Sequence, residues 1–106
     1  MKRIPYNKLI RDKIPQIIAQ SGKKAIVEKL TNDQYLDMLN TKLNEELAEY
    51  QNGKNIEELA DLVEVIYAIL DVKGVSLAEF EKIRQGKVNA RGAFKDRLLL
   101  KEVIED

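Results

Sequence analysis

Four carboxylates are set apart by their spacing. Glu46 and Glu49 form an E-x-x-E pair, Glu58 and Asp61 form an E-x-x-D pair, and eight residues separate Glu49 from Glu58. On a helix, side chains three apart are neighbours, so each pair would stack on one face. If two such helices meet, four like charges converge at a seam and repel unless a cation lies among them. Ligation by oxygen alone selects Mg²⁺ or Mn²⁺ over zinc or copper. The composition narrows the chemistry to the same class. The 106-residue chain has no histidine and no cysteine. That excludes a Ser-His-Asp or Cys-His nucleophile, a disulfide framework, and a zinc site of thiolate or imidazole.

Each of these residues also has a plainer reading. Glu58 stands three positions after Asn55, where a capping box would place it, and Glu57 and Glu58 both suit a helix N-terminus. Most helical glutamates, Glu46 and Glu49 included, could simply be solvated. Spacing alone leaves both readings open. Lys87, Arg91 and Lys95 recur every four residues, as phosphate-binding cations on one helix face would, but basic residues also favour helix C-termini. Lys8, Arg11 and Lys13 share that ambiguity near the other end of the chain.

Three capping signals place the elements that must carry these groups: Thr31 with Gln34, Asn55 with Glu58, and Ser76 with Glu79. They predict helices near 32–51, 56–73 and 77–91, with Gly53 and Gly74 as stops. Short connections make antiparallel neighbours the natural arrangement. Asp12 could cap a shorter helix that holds Pro15 in its first turn and ends at Gly22. Residues 25–30 could be a short extended segment or a connector. The tail from Arg97 to Asp106 carries Leu98, Leu99, Leu100, Val103 and Ile104, enough to pack back onto something.

A wheel of about 100° per residue orients the acids. In the second helix Leu36, Leu39, Leu43, Leu47 and Tyr50 define the expected buried stripe. Glu46 lies about 60° from its centre, Glu49 about 120° and Glu45 about 160°. Glu46 and Glu49 therefore belong at the core's edge, and Glu45 points to solvent. In the third helix Ile56, Leu59, Val63, Ile66 and Leu70 form one stripe, with Glu57, Glu64 and Asp71 as a solvated acidic line. Glu58 and Asp61 share their side with Val65, Ala68 and Ile69. A helix apolar on two sides suggests burial between neighbours or at a subunit interface.

Lys plus Arg and Asp plus Glu each total 18, a formal net charge of zero, which argues against a nucleic-acid binder. Hydrophobic residues at 44% and charged residues at 34% describe a globular chain long enough for one domain over residues 1–106. The longest apolar run, Val65 to Leu70, falls well short of a membrane span, and Met1-Lys2-Arg3-Ile4-Pro5 has no signal-peptide core behind it. A cytoplasmic domain without membrane attachment is expected.

Glu45-Glu46-Leu47-Ala48-Glu49 followed by Glu58-Leu59-Ala60-Asp61 resembles the E-E-x-x-E … E-x-x-D signature of the all-α nucleoside triphosphate pyrophosphohydrolases. This superfamily includes MazG, the dimeric dUTPases and phosphoribosyl-ATP pyrophosphohydrolase. The stretch Tyr6-Asn7-Lys8-Leu9-Ile10-Arg11-Asp12-Lys13-Ile14-Pro15 is similar to the start of small phosphoribosyl-ATP pyrophosphohydrolase-like proteins, as is Lys87 through Phe94 with its Arg91-Gly92-Ala93-Phe94 turn. The resemblance implies an all-α bundle built on an antiparallel helix pair and completed by a homo-oligomeric partner, a dimer or tetramer. It implies Mg²⁺, with Mn²⁺ as an alternative, held by Glu46, Glu49, Glu58 and Asp61 as the catalytic set, with a supporting role for Glu45. Lys87 and Arg91, and less directly Lys8 and Arg11, become contacts to substrate phosphate. The implied reaction cleaves a nucleotide between its α and β phosphates to a monophosphate and pyrophosphate. Histidine synthesis, dUTP removal and house-cleaning of modified nucleotides all fit that chemistry. The interval between the two acidic motifs is short beside MazG proper, and no aromatic stands out for base recognition, since Tyr35, Tyr50 and Tyr67 could all be core. The competing expectations are a non-catalytic helical dimerisation or adaptor protein, and a degenerate member that binds nucleotide without turnover.

Overall fold

A computed structural model describes residues 2–105; Met1 of the N-terminal run and Asp106 at the end of the apolar tail lie outside the described residues. The chain is all-α, with four helices and no strand among the described residues. They are α1 (Ile14–Gln20), α2 (Asn32–Gly53), α3 (Ile56–Val72) and α4 (Leu77–Arg91). None is long and apolar enough to cross a membrane. The chain divides into two compact units, Met1–Gly74 and Val75–Asp106.

In the first unit, α2 starts on the expected box. The Thr31 hydroxyl accepts from the Gln34 N–H at 3.3 Å, and the Gln34 side chain accepts from the Thr31 N–H at 3.2 Å. Two otherwise orphaned donors are thereby satisfied. The helix runs through Gly53 rather than stopping before it. Lys54 takes the left-handed turn instead, with φ +57°, and its N–H bonds to the Tyr50 carbonyl at 2.6 Å. Asn55 has the extended backbone of an N-cap but makes no side-chain cap bond, so the second expected box is not formed. Glu58 is thereby left for other partners. α1 likewise begins at Lys13 without a side-chain cap, and Asp12 does not cap it. Pro15 and Gly22 do stand where expected, in the first turn and, at φ +83°, just past the end. Residues 23–30 are a connector without regular structure.

α2 and α3 pack side by side, and this seam holds the buried residues of the unit: Leu39, Val65 and Glu46. The seam is turned from the expected stripes. Leu47 is exposed, while Glu46, about 20° from Leu39 on the wheel, lies inside. On α3 the side carrying Glu58, Asp61 and Val65 is covered. Ile56, Val63 and Tyr67, within about 40° of one another, are exposed, with Ile56 78% accessible. Tyr35 and Tyr50 are half-buried.

The second unit starts with a partial box. The Ser76 hydroxyl accepts from the Glu79 N–H at 3.1 Å and donates to the Glu79 carboxylate at 3.1 Å. α4 ends at Arg91, with Gly92 at φ +85° and its N–H on the Val88 carbonyl. The apolar tail does not pack back. Leu98, Leu99, Leu100, Val103 and Ile104 are all exposed, in a segment with no regular structure to bury a face.

Candidate functional site

The last turns of α2 and the first turns of α3 bring the acidic motifs together. Carboxylate oxygens of Glu46, Glu58 and Asp61 lie within 4.8 Å of one another. Two trans oxygens on a single Mg²⁺ stand about 4.2 Å apart, from a bond length of about 2.1 Å. Cis oxygens stand nearer, about 3.0 Å apart, so the three acids are close enough for a modest side-chain adjustment to place them on one hard ion. Glu46 is the deepest, with 7% of its surface accessible, and its Oε2 is buried without a hydrogen-bond partner. A buried carboxylate oxygen with no donor is costly, about 1–3 kcal/mol or more, and such oxygens are rare in folded chains.

The electrostatics record the crowding. Glu46 is held above the ordinary carboxylate value of 4.5, first by burial and then by the charge of Glu49; Lys42 opposes this and Asp61 adds to it. Glu58 is raised too, by loss of solvent and by the charges of Glu49 and Asp61. Glu49 itself is exposed, as its angle on the wheel anticipates, yet it stands close enough to influence both Glu46 and Glu58. Three of the four expected acids thus form the tight cluster, and the fourth flanks it.

Two cations reach the cluster. Lys42 Nζ lies 3.6 Å from Glu46 and 3.7 Å from Glu45. It was not singled out from the sequence, although its i,i+3 and i,i+4 spacing to two acids was readable there. Glu45 is half-buried rather than fully outward, and turned toward Lys42. The second cation is Arg11. Its Nη2 donates to Asp61 Oδ1 at 2.7 Å from the irregular N-terminal segment. With Glu45 counted beside Lys42, five acids stand against two cations, so negative charge is in formal excess. The donors are all hard oxygens, so the residues present fit Mg²⁺ or Mn²⁺.

The remaining expected contacts are placed differently. Lys8 is exposed in the N-terminal segment. Lys87 and Arg91 are exposed on α4, in the second unit. In that unit Arg91 also lines, with Phe94, Lys95 and Arg97, an open hollow of about 360 Å³.

An uncharacterized protein of Mycolicibacterium smegmatis is 44% identical to this chain over 41 residues, covering 39% of the chain and 42% of that protein. The chain thus matches less than half of that relative's length. No family model matches the chain, and no solved structure matches it.

Proposed function

We propose that the chain is a Mg²⁺-dependent nucleoside triphosphate pyrophosphohydrolase of the MazG-like, phosphoribosyl-ATP pyrophosphohydrolase-like kind, forming a single domain over residues 1–106. Its substrate would be cleaved between the α and β phosphates. The observation that carries this reading is the buried, unpartnered Glu46 Oε2 among carboxylates that share no proton donor except Arg11 and Lys42. Glu46, Glu58 and Asp61, with Glu49 beside them, would hold the ion. When bound, it would supply charge neutralisation of the polyphosphate and a more acidic water. Arg11 is the cation of this chain nearest the cluster, and its guanidinium fork suits a phosphate oxygen. The connection from Gly53 to Ile56 is short enough to fold α2 and α3 into an antiparallel hairpin, with both acidic motifs at one end.

The same reading includes a homo-oligomer. Ile56, Val63 and Tyr67 form an uncovered apolar side on α3. That side also favours a second reading, a non-catalytic helical dimerisation module in which the acids serve solubility. Pyrophosphate release decides between them. The protein with Mg²⁺ and a panel of canonical and modified triphosphates should release pyrophosphate, and Glu49→Gln and Asp61→Asn should abolish it. No release from any triphosphate, with sedimentation as a stable dimer, would favour the module.

A further inference from the structure

We propose that Arg11 is a built-in competitor for the metal: its guanidinium holds Asp61 Oδ1 and opposes a divalent cation at the same carboxylate. The inference rests on the metal site proposed above and concerns how that site's affinity is set. Among the described residues, Arg11–Asp61 is the only side-chain hydrogen bond between residues more than four positions apart. Glu46 shows that the cluster is short of partners, since its Oε2 is buried and has none. Asp61 differs, because Arg11 holds its Oδ1. Yet Asp61 is one of the three acids whose oxygens converge.

The two occupants oppose each other electrostatically. An ion held by Glu46, Glu58 and Asp61 would stand within a few ångströms of a guanidinium 2.7 Å from Asp61 Oδ1, and like charges at that distance repel. Arg11 can yield at little cost. Its side chain is 61% accessible and belongs to a segment without helix or strand. Lys42 differs, because it is anchored one helical turn from Glu46 on α2 and is only 27% accessible. Arg11 is therefore a positioning residue that holds Asp61 in place until the ion arrives.

The test is Mn²⁺ binding by calorimetry at low salt, using the full chain. An exposed ion pair that must be broken on binding weakens affinity by about two- to fivefold. Arg11→Gln should therefore bind Mn²⁺ about two- to fivefold more tightly than wild type, with the gain shrinking as KCl is raised. Arg11→Lys, which keeps the charge, should return affinity toward the wild-type value. In wild-type protein, Mg²⁺ should move the Arg11 Nε–H resonance to the position of a free guanidinium, a readout that needs no substitution. Equal or weaker Mn²⁺ binding by Arg11→Gln, or an Arg11 resonance that Mg²⁺ does not move, would overturn the competition while leaving the metal site standing. Absence of Mn²⁺ binding in both wild type and Arg11→Gln would overturn the competition and the metal site together.

Discussion

Replacing Glu46 by glutamine should stabilise the metal-free protein, although it removes a charge that Lys42 partly compensates. The ionised carboxylate is buried and one of its oxygens lacks a donor, a cost of about 1–3 kcal/mol. Against this stands the Lys42 contact at 3.6 Å, a within-helix pair worth about 0.5 kcal/mol at most. The glutamine amide can also donate to the neighbouring carboxylates. A net gain of about 1–2 kcal/mol follows, or about 4–16 °C in Tm for a chain of this size. The assay is urea unfolding at pH 8 in EDTA, at one fixed protein concentration because any oligomer couples stability to concentration. Mg²⁺ should reverse the order. At a hundredfold excess over its dissociation constant it adds about 2.7 kcal/mol to wild type and less to Glu46→Gln. Asp61→Asn is the control. It also loses an Arg11 partner, so it should show little or no gain. A loss of more than about 1 kcal/mol for Glu46→Gln in EDTA would refute the reasoning, since it would mean that the fold favours the ionised carboxylate.

The same strain has a pH signature. Folded Glu46 gives up its proton at a higher pH than the unfolded value near 4.5, so between those values the folded state binds more protons and stability falls as pH rises. The stability difference between wild type and Glu46→Gln in EDTA should therefore be smallest below pH 4.5 and widen above it, as read from urea midpoints. Thr31→Ala removes the hydroxyl that accepts from the Gln34 N–H, leaving the backbone bond of the box, and should cost about 1 kcal/mol by the same assay. Lys54→Gly removes a side chain from a left-handed position and should stabilise by about 0.5–1 kcal/mol, provided α2 still ends there. Val63→Glu places a charge on the exposed apolar side of α3; sedimentation should show a smaller assembly than wild type with helicity unchanged.

The helices were legible where local chemistry decides them. Thr31, Ser76 and Gly74 act through backbone groups within three or four residues, so spacing alone located them. Asn55 carries the same sequence signal and fails, because its side chain makes no cap bond while Glu58 faces the carboxylate cluster. A local rule has no knowledge of that competition. The wheel was right for most of the α2 stripe, since Leu39 is buried and Leu36, Leu43 and Tyr50 are half-buried; the contact with α3 rotated the seam from it only far enough to expose Leu47 and bury Glu46. The amount of that rotation depends on the partner helix and is written in neither segment alone. The exposed tail shows the converse limit, for a run of leucines records what could be buried and not whether anything covers it.

The acidic pairs were visible because helical spacing predicts them, but their charge balance was not. Lys42 could have been found by its distance from Glu45 and Glu46 along one helix. Arg11 could not, since fifty positions separate it from Asp61 and no periodicity runs through the N-terminal segment. That one long-range contact alters what the cluster means. Four acids alone would repel, and their persistence would itself argue for a bound ion. With Arg11 and Lys42 in place the metal-free state is tolerable, and only Glu46 Oε2 stays unsatisfied. If the proposed metal site holds, its affinity for a divalent cation would depend on whether the ion satisfies Glu46 by more than it loses to the opposing charge of Arg11.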